Sequence, residues 1–298
     1  MRSTRIFSAV LVVGALALSG CGSDSLDNGS KSSASKADTT VDKAAAAMVP
    51  KAIADKGTLT VGTDATYAPN EFLAGDGKTI QGFDIDLFTA VASKLGLKAE
   101  FVPAKFDSII TGVQGSKYDV GVSSFTVNAD REKQATMVSY FNAGTQWATA
   151  KGNPKNVDPD KPCGLTVAVQ KGTVQQEEDL PPKEAACKKA GKPVKVLVYE
   201  GQDAATASVV SNKADAMLAD SPIVAYAVEQ SKGKLEPAGD IYDAAPYGYV
   251  LPKDGAKMGD AIVAALKSLE SDGGYEKALK GWGVEAGAIN DFAVNPAV

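Results

Sequence analysis

The chain has 298 residues, 44% of them hydrophobic, and its 31 basic residues are outnumbered by 36 acidic ones, for a formal net charge of −5. That supplies one large core or two medium ones, and the acidic balance argues against a nucleic-acid partner, which needs a basic stripe. Histidine is absent, which excludes Ser-His-Asp and Cys-His nucleophile systems, HExxH zinc sites and imidazole proton shuttles.

Arg2 and Arg5 precede an apolar run from Ile6 to Leu18. The run is short for a bilayer span and reads as a signal peptide over residues 1–20. It ends in Leu18-Ser19-Gly20-Cys21, which resembles the lipobox of bacterial lipoproteins. The resemblance implies that Cys21 is diacylated and anchors the chain to the outer face of the cell membrane; an ordinary secretory signal with a chance cysteine is the alternative. Residues 21–48 are rich in Ser, Lys, Asp and Ala and lack aromatics, so a disordered tether is expected there. The globular unit is expected from Val49. Export places Cys163 and Cys187 in an oxidising compartment. A bridge between them closes a loop of about 25 residues, worth about 3 kcal/mol; a reduced buried pair is the alternative. No further thiol or imidazole exists to complete a metal site.

Leu59–Thr63 reads as a strand, followed by a helix over 84–95, where Ile85, Phe88, Val91, Ala92 and Leu95 recur at helical spacing. A strand over 98–102, a helix over 106–114, a strand over 120–123 and a short helix after Asn128 complete a β-α-β-α-β-α order. That order implies a mostly parallel sheet covered on both faces. The order restarts with strands at 166–169, 194–198 and 215–219, alternating with helices from Val174, over 204–212 and over 221–230. The tail adds a strand at 249–251, a helix at 258–269 and a last helix at 275–282. Because the second unit already has three strands and three helices, the tail is expected to return to the first. The expectation is an α/β protein of two domains, 49–146 plus 245–298 and 147–244. The crossings near 144–148 and 243–247 form a two-stranded hinge over a cleft.

In open α/β sheets ligands sit beyond the carboxyl ends of strands. Asp64 and Tyr67 follow the first strand, and Phe106 the second. Ser123, Ser124, Thr126 and then Arg131 follow the third. Gln170, Thr173 and Gln175 follow the first strand of the second unit, and Asp220 ends another. These groups complement a zwitterion. Arg131 offers a planar fork to a carboxylate, hydroxyls and loop amides add donors, and Asp220 accepts from an ammonium. Each has a plainer alternative. Arg131 is a solvated surface residue, Asp220 an N-cap for the helix at Ser221, Asp64 a turn cap, and Tyr67 and Phe106 core residues.

The segments Gly57–Asp64 with Tyr67-Ala68-Pro69, Gly82-Phe83-Asp84-Ile85-Asp86-Leu87, Ser123–Thr126 with Arg131, Gly172-Thr173 with Gln175, Ala216–Asp220 and Asp272-Gly273-Gly274-Tyr275 resemble solute-binding protein family 3, the polar amino-acid receptors of bacterial ABC importers. The resemblance runs from about Gly57 to Trp282. It implies a type II periplasmic-binding-protein-like fold in which Arg131, helped by Thr126 and Thr173, takes the ligand α-carboxylate. Asp220 takes the α-ammonium, together with the Ser124 carbonyl or the Ser123 hydroxyl. Tyr67 and Phe106 flank the ligand side chain, and Asp64 reaches its tip. Gln170 lies where the family varies with ligand, and Val174 replaces a small or hydroxyl residue. The implied protein is a monomer without cofactor, not an enzyme. It closes on a basic amino acid or glutamine and docks on an ABC permease. Two rivals are an enzyme on the same fold, of the cyclohexadienyl dehydratase kind, with Glu71 or Asp64 as general acid, and a sensor lobe of a signalling system.

Overall fold

The structure is a computed structural model that describes residues 40–296. The expected signal peptide, Cys21 and most of the expected tether lie outside the described residues. At its C-terminal end the tether expectation is corrected, because Lys43–Met48 is a helix (α1). Asp42 caps it, accepting from the amides of Ala44 and Ala45 at 2.9 and 3.1 Å, and alanine is the best helix former. Ala45 and Val49 are buried in the main core, so a segment polar in composition is held by two small apolar contacts. A second short helix, Lys51–Lys56 (α2), ends at Gly57 with φ 69°.

Strand β1 (Thr58–Thr63) follows. Three very short strands come next, β2 (Thr66–Tyr67), β3 (Glu71–Leu73) and β4 (Ile80–Gln81). They make a small antiparallel sheet of their own, too short for any period to show in the sequence. Gly82 then turns the chain into helix α3 (Phe83–Lys94). Its φ is 139°, and a Cβ there would lie 2.0 Å from the Asn70 carbonyl oxygen, so only glycine fits. The β-α alternation continues as expected with β5 (Lys98–Pro103), α4 (Phe106–Gln114), β6 (Val120–Thr126) and α5 (Ala129–Gln134). Then comes a 15-residue strand the sequence does not announce, β7 (Thr136–Ala150).

The second run is β8 (Thr166–Gln170), a π-helical turn (Gln175–Asp179) leading into α6 (Leu180–Lys189), β9 (Lys195–Tyr199), α7 (Gln202–Val210), β10 (Ala216–Asp220) and α8 (Ser221–Gln230). A second long strand, β11 (Leu235–Leu251), precedes α9 (Ala256–Ser271) and α10 (Gly274–Lys280). The large sheet has the order β5-β1-β6-β11-β7-β10-β8-β9. It is parallel at both ends and antiparallel in the middle, where β7 and β11 join the ladder. Both stretches expected to cross between domains lie inside these two strands, and their mutual register shifts between Ala238 and Tyr242 and again before Ala245.

Packing follows the strands. Helices α3 and α9 bury Phe83, Leu87, Phe88, Ile262 and Leu266 against Tyr140, Phe141 and Tyr249 of β7 and β11. At the other ends of the same strands, Trp147 packs with Val167, Val169 and Leu218. Each large apolar side chain taken fully from water contributes about 1.5–3 kcal/mol. Cys163 and Cys187 are bonded, with Cα atoms 4.9 Å apart, which ties the loop after β7 to α6.

Candidate functional site

The polar residues singled out from the sequence meet at the carboxyl ends of β1, β6, β8 and β10. Arg131 stands in the first turns of α5, and the Asn128 side chain caps that helix by accepting from the Arg131 amide at 2.8 Å. The cap directs the Arg131 side chain inward, where it is 7% exposed. Its Nη1 donates to the Thr126 carbonyl at 2.7 Å and its Nη2 to the Gly172 carbonyl at 3.1 Å. Both acceptors are neutral. The guanidinium lies 5.6 and 5.5 Å from the rings of Phe106 and Phe125, which stack on each other at 4.5 Å. Burial lowers its pKa, and Glu177, Asp220 and Glu178 oppose that shift. A guanidinium starts so high that it stays charged. Gly172 approaches closely because it has φ 77°, and a Cβ there would meet the Asp107 Cβ at 2.9 Å.

Asp220 ends β10 and occupies the N-cap position of α8, yet its side chain makes no capping bond. Instead its Oδ2 accepts from the hydroxyls of Tyr67 and Tyr247, each at 2.8 Å, and its Oδ1 from Gln175 Nε2 at 2.7 Å. Burial raises its pKa, opposed by those three hydrogen bonds and by Arg131. An anion and a cation, each nine-tenths buried, thus face one cavity without forming a direct ion pair among the salt bridges of the described residues.

The cavity is lined by Tyr67, Phe106, Ser124, Thr126, Arg131, Thr173, Val174, Gln175 and Asp220. Asp64, Ser123 and Gln170 are not on its wall. Asp64 accepts from the Thr66 amide and hydroxyl at 3.0 and 2.6 Å, so the turn-cap reading describes one of its oxygens. The other accepts from the Phe106 amide at the start of α4 and from Gln170 Nε2, at 3.0 and 3.1 Å. Burial nevertheless raises its pKa. Ser123 donates to Glu71 at 2.9 Å, and the Ser124 hydroxyl reaches the same carboxyl group at 3.1 Å. Glu71, the other candidate general acid, has its pKa raised by burial, but it does not line the cavity and is bonded to Ser123 and Ser124. Sequence reasoning missed Tyr247, Thr145, which accepts from Gln175 Nε2 at 3.1 Å, and the depth at which Glu71 and Asp84 are buried.

The cavity measures about 10 Å³, the volume open to the centre of a water-sized sphere. That is room for about one water, so the polar atoms here are satisfied chiefly by one another.

The sequence profile of the bacterial extracellular solute-binding proteins, family 3, matches residues 59–285. The arginine-binding protein ArgT of Corynebacterium glutamicum is 39% identical over 252 residues, which cover 84% of this chain and 82% of that protein. Among solved structures, an ancestral arginine-binding protein bound to arginine superposes with a TM-score of 0.70 at 33% identity, covering 76% of this chain and 98% of its own. An ancestral arginine-binding protein bound to glutamine gives 0.69 at 33%, covering 77% and 99%.

Proposed function

Because the chain belongs to the bacterial extracellular solute-binding proteins of family 3, we propose that it is the receptor that captures one free basic L-amino acid, with arginine foremost and glutamine next, for an ABC importer. It is a binding protein, not an enzyme. One observation carries the ligand class: Arg131 and Asp220 face one cavity, with a third charged group, Asp64, one hydrogen bond behind its wall. The guanidinium grips the α-carboxylate, Asp220 the α-ammonium, and Tyr67 and Phe106 flank the side chain. Asp64 holds the cationic or amide tip once Gln170 releases it. The similarity to proteins named for arginine, one of them bound to glutamine, supports both ligands.

Binding is a hinge closure between two lobes, 49–146 plus 245–298 and 147–244, with α1 added to the first. Strands β7 and β11 are the hinge. Ligand enters when the bonds Arg131–Gly172 and Tyr67–Asp220 part, and it then replaces them. Hydrogen bonds to charged groups contribute about 1.5–3 kcal/mol each. Three of them reach the roughly 5.5 kcal/mol that turns a mostly open population into a mostly closed one. Cys21 anchors the receptor to the outer face of the membrane, where the closed monomer docks on the permease.

Isothermal titration calorimetry against L-arginine, L-lysine, L-ornithine, L-histidine and L-glutamine tests this. The expected result is saturable one-to-one binding, tightest for L-arginine, with the ligand recovered unchanged. Absence of heat with all five ends the proposal.

A further inference from the structure

Behind the cavity wall lies a second pair of carboxyl groups. Glu71 opens β3 and Asp84 sits in the first turn of α3; both are 0% exposed and both reach the one Ser124 hydroxyl. Around them are hydroxyls and amides. Ser123 donates to Glu71 Oε1 at 2.9 Å. The Ser124 hydroxyl lies 3.1 Å from Glu71 Oε2 and 3.2 Å from Asp84 Oδ2. The Ser124 amide and the Tyr140 hydroxyl donate to Asp84 Oδ2 at 3.0 and 2.7 Å, and Asn70 Nδ2 donates to Ser124 Oγ at 2.8 Å. The titratable groups that face the pair are Asp64 after β1, Tyr67 on β2, Tyr140 on β7 and Tyr249 on β11. None is a cation.

Two adjacent anions in such surroundings are far costlier than one. A single proton resolves this. Asp84 Oδ1 is buried and has no hydrogen-bond partner among the described residues; a protonated Glu71 nearby is a donor that can answer it. Burial and the negative Asp84 both push the Glu71 carboxyl well up; burial raises Asp84 as well, but only to about 6, because the Tyr140 hydroxyl and the Ser124 amide donate to its Oδ2, so Asp84 keeps the charge. The consequence reaches the cavity. Ser124 is non-glycine at φ 52°, a left-handed conformation that needs outside support, and it lines the cavity. Ser123 Oγ also accepts from the Asp64 amide at 3.0 Å. The pair therefore braces both strand ends that carry the site.

We propose that Glu71 and Asp84 share one proton at neutral pH and act as positioning residues that set the Ser123–Ser124 turn, so that fold and ligand affinity both weaken as that proton leaves. The affinity part rests on the amino-acid-binding reading; the proton itself does not. The sign follows from linkage. A carboxyl whose pKa is raised in the fold binds its proton more tightly there than in the unfolded chain. Stability therefore falls as pH rises from the ordinary glutamate range through the raised one.

The test uses the full chain, Glu71→Gln and Glu71→Ala. The infrared spectrum of the wild type at neutral pH should show a buried carboxylic-acid C=O band that Glu71→Gln lacks and that titrates away at higher pH. Between about pH 5 and about pH 9, the melting temperature of Glu71→Gln should rise relative to wild type as pH rises. The glutamine variant should keep wild-type L-arginine affinity at neutral pH and lose the alkaline decline, whereas Glu71→Ala should bind about tenfold more weakly or worse. No acid band in the wild type overturns the proposal, as does a melting difference that ignores pH. Should L-arginine not bind the wild type at all, the functional reading falls while the band and the melting curves still decide the proton.

Discussion

Arg131 and Asp220 are buried charges already provided with partners, and this sets what their substitution does. Arg131 donates to two peptide carbonyls, which a carboxylate outcompetes because charge-assisted bonds are shorter and roughly twice as strong. Lysine keeps the charge and loses the planar fork. Arg131→Lys should therefore weaken L-arginine binding by about 10–100-fold, the equivalent of losing one or two such bonds; wild-type affinity in a calorimetric titration would falsify the pairing. Asp220 depends on the phenols of Tyr67 and Tyr247 for its orientation. Tyr247→Phe should cost about 1 kcal/mol of binding, roughly fivefold, and unchanged affinity would remove Tyr247 from the site. Arg131 and Asp220 were legible because each follows a strand end. Tyr247 was not, since 27 residues separate it from Asp220 and only the β11 ladder brings them together. Ser123 and Ser124 both reach Glu71, but only Ser124, at φ 52°, lines the cavity. Tyr67 and Phe106 are buried in apolar clusters and also line the cavity.

At the scale of elements, α3, α4, α8 and α9 emerge from the sequence within a few residues, and α4 and α9 each bury one stripe at helical spacing. Strand β7 does not, and of β11 only the last three residues do. Along β7 nearly every side chain is buried on both faces, so the alternation that marks a half-exposed strand is missing. The turn Gln175–Asp179 is π-helical, and such turns recur at functional sites; here it brings Gln175 to Asp220 and Thr145. The disulfide pins the loop before β8 to α6, remote from the cavity wall. Its effect should fall on stability alone. Replacing Cys163 and Cys187 by serine should lower the unfolding free energy by about 3 kcal/mol in the chain-entropy account, read from denaturant midpoints, and leave L-arginine affinity within about twofold. A large loss of affinity would mean that α6 transmits strain to the π-helical turn.

At the scale of the whole molecule, the decisive question is what keeps the proposed lobes together before ligand arrives. The side-chain bonds that join them are few, and most carry a charge on one side only. Gln170 reaches Asp64 at 3.1 Å, the Gln202 amide reaches Thr66 at 3.1 Å and Asn128 reaches Glu178 at 2.6 Å, beside the Arg131 and Tyr67 bonds within the cavity. Two ion pairs close the rim, Lys171–Asp107 and Lys105–Glu200, both at 2.8 Å. Exposed pairs of this kind contribute about 0–1 kcal/mol and weaken with salt. The net preference for closure without ligand is therefore small, because opening returns most of these groups to water, where they find equivalent partners. Ligand changes the balance by supplying a carboxylate and an ammonium that touch both lobes at once. Closure should then follow occupancy of the cavity rather than the state of the rim. Small-angle X-ray scattering should show the radius of gyration falling when L-arginine is added to saturation. The fall should persist in high salt, which screens the rim, and should vanish in Asp220→Asn, which cannot meet an ammonium with charge. A radius already at its compact value without ligand, and unmoved by it, would place the closed form as the resting state and transfer the work of opening to the importer.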